Sequence, residues 1–287
     1  MTALATATTP STGRPPTDPV GDLVPISLQE LVDRASLQTR VDRKYVVPAD
    51  AVDDLLRDAA DQVQVLQIGE LRTFAYESVY FDTPDLLAYR LAAHRRRRRF
   101  KIRTRTYLDS AQCFLEVKTR GTRGSTVKDR LAYDPDQAAD ITPGRWYVEN
   151  VLSGATIPGT NTLELRPTLV TRYLRTTLFL PRSCSRVTVD THLTWQDDRA
   201  TLDVPHLAVV ETKTGSCPSP MDRLLWSRGH RPVGISKYAT GLAALDPDLP
   251  SNRWRRTLRR HVHSPAREDR TTDPRNEQRS GTCHARP

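Results

Sequence analysis

Long cations recur at every second position through the middle of the chain. Lys101, Arg103 and Arg105 alternate with Ile102 and Thr104, and Glu116 and Lys118 alternate with Leu115 and Val117. Lys128 with Arg130, Tyr173 with Arg175, Arg186 with Thr188 and Asp190, and Glu211 with Lys213 repeat the spacing. Residues two apart in a strand share a face. Each segment therefore presents cations, with an occasional carboxylate, on one side. A half-buried sheet with a solvated face explains any single strand of this kind. Recurrence in strand after strand, with long cations in place of the usual Ser, Thr and Gln, points to a sheet curled so that the charge faces inward. Such a lumen repels itself unless a polyanion fills it. Triphosphate or polyphosphate would supply that charge, and Glu116 and Glu211 would hold a divalent cation, Mg²⁺ or Mn²⁺, among the phosphate oxygens.

Composition narrows the field. The 287 residues carry 43 Lys+Arg against 34 Asp+Glu, a formal charge of +9, with 37% hydrophobic residues, enough to build a core. Apolar runs are only a few residues long, so no transmembrane helix is expected, and the N-terminus does not read as a signal peptide. Four scattered cysteines without a C-x-x-C pair suggest reduced thiols and a cytoplasmic protein. The charge is uneven: residues 251–287 hold ten arginines against four acids. Only six cations are lysines: Lys44, Lys101, Lys118, Lys128, Lys213 and Lys237. Where arginine is used so freely, a retained lysine marks a place that needs a compact ammonium.

The elements that must position these residues read as α+β. Residues 1–24 form a Thr/Pro/Ala-rich leader expected to be disordered. Ser27 and Glu30 make a capping box for a first helix, and a second helix spans about 50–61. Period-two segments then follow one another, separated by Gly, Pro, Asp and Ser turns and interrupted by helical stretches near 85–93, 136–153 and 218–230. The segment ISKYATGLAAL ends in a closing helix. The folded domain is expected over 25–249, and 250–287 as a basic disordered tail. So many short antiparallel strands suggest a barrel or tunnel with helices packed outside. The run Arg95–Arg99, just before a strand, is expected to rim its mouth; a nucleic-acid patch is the other reading.

Taken in order, RVDRKYVVP, ESVYFDTPDLLAY, FKIRTRTY, LEVKTRG, STVKDR, RPTLVTRYLRT, SRVTVDTHLTW, VVETKTG and GISKYATG resemble the VTC (vacuolar transporter chaperone) domain. That domain is the polyphosphate polymerase module of the triphosphate tunnel metalloenzyme (CYTH-like) superfamily, and the resemblance covers about residues 27–246. It implies an antiparallel tunnel that binds ATP and polyphosphate and, with Mn²⁺ or Mg²⁺, passes the γ-phosphoryl group to the chain end. The matching positions imply catalytic roles for Arg103, Arg105, Lys118, Arg175, Arg186 and Lys237. They imply substrate binding by Lys44, Lys128, Tyr173 and Ser236 and metal binding by Glu211; the strand faces add Arg130 and Lys213 as substrate-binding residues and Glu116 as a second metal ligand. No SPX domain and no membrane anchor are found, so inositol pyrophosphate regulation and coupled translocation are not expected. The Glu-x-Glu-x-Lys motif of the hydrolase branch is replaced by Arg40-Val41-Asp42-Arg43-Lys44, which disfavours a simple triphosphatase. A triphosphate or polyphosphate hydrolase, a non-catalytic polyphosphate-binding module and a nucleic-acid binder stand as alternatives. Few strand faces interleave aromatics with cations for base stacking, which counts against the last.

Overall fold

A computed structural model of the chain describes residues 18–35, 41–121 and 126–263. In chain order the elements are β1 (Val24–Ile26), α1 (Leu28–Arg34), β2 (Val41–Pro48), α2 (Ala51–Ala59), β3 (Gln64–Leu66), β4 (Thr73–Asp82) and α3 (Leu87–Ala93). They continue with β5 (Phe100–Tyr107), β6 (Gln112–Arg120), β7 (Thr126–Tyr133), α4 (Arg145–Gly154), β8 (Arg166–Leu180), β9 (Ser185–Gln196), β10 (Thr201–Val204) and β11 (Leu207–Thr214). The helices α5 (Pro220–Ser227), α6 (Lys237–Leu245) and α7 (Arg255–Thr257) complete the series, α7 running directly into a π-helical turn, Leu258–Val262.

One sheet holds the protein together, in the order β2-β11-β9-β8-β4-β5-β6-β7, and every pair along that path is antiparallel. Among the described residues nothing pairs β7 with β2, so the expected tunnel is an open, curled sheet and its hydrogen-bond ladder does not close. The short strands β1, β3 and β10 have too few residues to show a period and were not legible in the sequence.

The alternation of the strands creates two kinds of core. On the outer face Tyr45, Val47, Val187, Val189, Ala208 and Val210 pack against Leu55 and Leu56 of α2 and Leu225 of α5. Val79, Phe81, Ile102, Leu115 and Val117 pack against Ala88 of α3 and Val148 and Leu152 of α4. These are the helices expected outside. The helix α6 does something different. Its Tyr238, Ala239, Leu242 and Ala243 join a cluster with Val46, Tyr80, Tyr173 and Val209, which point to the inner face. It comes so close that a Cβ on Gly241 would lie 2.4 Å from Trp195 Cδ1, so glycine is required there.

A bulge makes that contact possible. The β8–β9 register shifts between Arg172 and Leu174, and His192 takes a positive φ of 52°. One extra residue flips the alternation of β9. Arg186, Thr188 and Asp190 face inward before it, and Leu193 and Trp195 do so after it. The C-terminal boundary also needs correction. Trp254, Leu258 and Val262 are buried in the same core, so packed structure continues to the end of the described residues instead of stopping at 249. Their spacing of four was hidden by the arginines between them. Most of the expected leader and tail, residues 1–17 and 264–287, lies outside the described residues.

Candidate functional site

Cross-strand register places the charged residues in rows on the inner face. Lys101 faces Lys118, which faces Lys128. One row along, Arg103 faces Glu116, which faces Arg130. Further round the sheet Arg175 faces Asp190, Lys213 faces Arg186, and Lys44 faces Glu211. Lys44 owes its orientation to its neighbour: Tyr45 points the other way and donates to Asp222 Oδ1 at 2.6 Å, and Asp222 in turn caps α5. Lys237 enters from α6, whose N-cap is Ser236. All six lysines therefore converge on one surface.

Three carboxylates on this face are each bracketed by two cations. Glu116 accepts from Arg103 Nε and Nη2 on one oxygen, at 2.9 and 2.6 Å, and from Lys128 on the other at 2.6 Å. Asp190 takes a two-point contact from Arg175 at 2.6 and 2.8 Å and a further contact from Lys237. Glu211 lies 3.5 Å from both Lys44 and Lys213. Burial pushes these carboxyls up, but the neighbouring cations outweigh it, led by Arg103 for Glu116, Arg175 for Asp190 and Lys44 for Glu211. All three are held well below the usual carboxylate range and stay ionised.

Among the described residues Lys101 and Lys118 make no ion pair. Lys101 donates to Ser236 Oγ at 2.8 Å and lies over the Tyr80 ring. Among the described residues Lys118 has no hydrogen bond or ion pair. Burial, then Arg103 and the other nearby cations, push both lysines well below their ordinary value. Arg105 Nε, Tyr173 Oη and Thr188 Oγ1 are buried without a hydrogen-bond partner among the described residues. Buried polar atoms rarely stay unmatched. Here the unmatched donors lie among uncompensated cations, which is the arrangement an anion would complete.

Lys213 provides a test of this electrostatics without any ligand. Burial, opposed by Glu211, lowers it from 10.5 to about 8. Between those values the unfolded chain holds the proton and the folded one does not, so the Lys213 contribution to stability rises with pH over that window. Lys213→Met removes the titration. The stability of the variant minus that of wild type is expected to fall between pH 7.5 and 9.5, measured by urea unfolding. A difference independent of pH would show that Lys213 keeps an ordinary affinity for its proton.

The site residues expected from sequence, from Lys44 through Lys237, are brought to this one face, where Glu116 and Ser236 already have partners of their own. Both oxygens of Glu116 are in contact with cations and its side chain is 1% exposed, the geometry of a counter-ion. Ser236 orients Lys101 and caps α6 at Ala239 N. The aromatic content of the face was also underestimated. Tyr76 stacks on Tyr173 with centroids 5.3 Å apart, Tyr80 stacks on Tyr238 at 5.0 Å, and Arg175 lies over Tyr76 at 5.1 Å. These rings are buried under the cations, so they form a floor that supports charge and are not open to stacking bases. Neither Asp190 nor Asp82 was given a role from sequence. The first shares a strand face with Arg186, a signal that was available. The second accepts from the backbone of Ala88 and Tyr89 and from the Tyr238 hydroxyl, fastening α6 to the start of α3; nothing local in the sequence discloses that link.

A divalent metal fits only in a particular way. Among the described residues no three His, Cys, Asp or Glu side chains come together, so an all-protein cage is absent. Glu211 has only loose 3.5 Å contacts and keeps lone pairs available. One carboxylate completed by phosphate oxygens and water is a normal Mg²⁺ arrangement. No helix among the described residues is long and apolar enough to cross a membrane.

The family model described as the VTC domain matches residues 39–246, well over half of the chain. No curated protein matches it. Among solved structures, a candidate adenylate cyclase from Bacillus halodurans is similar at 14% identity and a TM-score of 0.46, covering 69% of this chain and 94% of that one. HpAC1 from Hippeastrum, named as an adenylyl cyclase and described with a dominant triphosphatase activity, is similar at 19% identity and a TM-score of 0.47, covering 71% and 96%. The Pct1 RNA triphosphatase of S. pombe is similar at 13% identity and a TM-score of 0.26, covering 79% of each chain.

Proposed function

Because the chain belongs to the VTC domain family, we propose that its inner face binds ATP and a polyphosphate chain and transfers the γ-phosphoryl group from one to the other. The observation that carries this reading is the surplus of cations beyond the three bracketed carboxylates, above all Lys101 and Lys118, which face each other across β5 and β6. Phosphoryl transfer needs positioning and charge stabilisation more than covalent help. Arg175, locked by Asp190, would present its remaining edge in a fixed direction, and Arg103, held by Glu116 and by the Tyr80 hydroxyl at 2.9 Å, would contribute its charge. Lys101, Lys118 and Arg105 would meet the non-bridging oxygens, and Tyr173 and Thr188 would donate their unmatched hydroxyls.

In the reaction, a terminal oxygen of the chain forms a bond to Pγ, the bond from Pγ to the bridging oxygen breaks, and ADP leaves with that electron pair. The chain end is already ionised and needs no base. Water does need one, and the cations around all three inner carboxylates hold them well below the usual carboxylate range, which makes them weak proton acceptors. That favours transfer over hydrolysis. Glu211 would hold a divalent ion, Mn²⁺ or Mg²⁺, which supplies further positive charge when bound.

Incubation of the full chain with ATP and Mn²⁺ or Mg²⁺, with and without a polyphosphate primer, is expected to yield ADP and lengthening polyphosphate. Phosphate release without chain growth would replace the polymerase with a hydrolase. Tight polyphosphate binding without turnover, unaffected by Glu211→Ala, would leave a binding module.

A further inference from the structure

Residues 252–262 lie beyond the family match and present a second cationic feature. Trp254, Leu258 and Val262 are buried in the core, at 2%, 4% and 9% exposure. The residues between them are forced outward: Arg255, Arg256, Arg259 and Arg260 are all exposed. The segment is held in place at both ends. Arg253 donates to the Ala92 carbonyl at 2.9 Å and Trp254 packs on Tyr89, while His206 Nε2 lies 2.9 Å from the His261 carbonyl. The four arginines and Asn252 line an open cavity of about 670 Å³. Among the described residues no carboxylate and no aromatic ring contributes to that lining, and none of the four arginines makes an ion pair.

Guanidinium groups without an ion-pair partner among the described residues, presented from an anchored segment around one cavity, suit phosphate oxygens, which they can grip by paired donors. The missing aromatics argue against single-stranded nucleic acid, where base stacking supplies much of the affinity. The apolar residues of the segment are buried, so nothing is left to insert into a lipid surface. The cationic surface also continues. Arg253 adjoins the ridge in sequence and touches the end of α3, and both it and Arg99 lie within electrostatic reach of Arg120 at the end of β6. A long, linear ligand fits this track better than a compact one.

We propose that Asn252, Arg255, Arg256, Arg259 and Arg260 form a second polyanion site, outside the inner face, that holds a segment of a linear inorganic polyphosphate chain. The choice of ligand rests on the proposed function; the site itself does not. The test is calorimetric titration of the full chain with long-chain inorganic polyphosphate over a range of salt concentrations. Four proteins are compared: wild type, a ridge variant with Arg255, Arg256, Arg259 and Arg260 changed to Gln, an inner-face variant (Arg105→Gln with Lys118→Met), and a charge-matched control with Arg166, Arg182, Arg223 and Arg231 changed to Gln. The ridge variant is expected to bind at least tenfold more weakly, with a salt slope shallower by about three units. The inner-face variant should retain the ridge-dependent binding. Equal affinity in the ridge variant and wild type, or an equal loss in the control, would overturn the site. Tighter ridge-dependent binding of duplex DNA than of polyphosphate at matched phosphate concentration would overturn the ligand. Unimpaired binding of tripolyphosphate by the inner-face variant would instead count against the proposed function and leave the ridge standing.

Discussion

Glu116→Gln is expected to cost about 3–5 kcal/mol of folding stability in metal-free buffer, the range found when one partner of a buried ion pair is removed. The substitution keeps the shape of the side chain and deletes its charge. Arg103, itself 6% exposed, would be left without a counter-ion, and Lys128 would lose its 2.6 Å contact. The loss should be visible as a lower urea midpoint with EDTA present. Replacing both members of the pair, Arg103→Met with Glu116→Leu, should restore most of the stability, because the penalty belongs to the unpaired charge and the two changes are strongly coupled. If Glu116 were a metal ligand instead, the single variant would match wild type in EDTA and fall behind only when Mn²⁺ or Mg²⁺ is added. The experiment therefore separates the role expected from sequence from the one the geometry supports.

That difference shows where sequence reasoning reached its limit. Period-two alternation was enough to find the charged faces, because strand geometry converts spacing into facing with no further information. It located Lys101, Arg103, Arg105, Glu116 and Lys118 on one surface. It could not show which cation each carboxylate would meet, since the partners come from neighbouring strands: Arg103 and Lys128 for Glu116, and a residue of α6 for Asp190. Nor could it place α6. A short apolar helix reads alike whether it covers the outside of a sheet or fills its inner face, and the decision rests on Gly241 against Trp195 and on Asp82 holding Tyr238, two contacts far apart in sequence. The packed segment 254–262 was missed because three apolar residues among many arginines look like tail. The scarcity of lysine proved more informative than net charge, since all six lie at the inner face while the exposed arginines are spread elsewhere.

Lys118→Met offers the sharpest separation of function from folding, because its two effects are expected to have opposite signs. Lys118 sits directly across from Lys101 on one side and Lys128 on the other. Like charges in facing positions are destabilising, and Lys118 has no partner of its own among the described residues. Methionine fills a similar volume without charge, so the ligand-free variant should be more stable than wild type by about 1–2 kcal/mol. Turnover should fall by about 10²–10³-fold, the usual loss when one preorganised donor to a developing charge is removed. Added tripolyphosphate should then reverse the order of stability, since a ligand raises stability in proportion to its affinity for the folded state and wild type binds it better. A lysine kept for structural reasons would behave otherwise: its loss would lower stability and activity together, and ligand would not exchange the ranking. The cost that Lys118 imposes on the empty protein is intelligible only if the inner face is built for an anion that removes it.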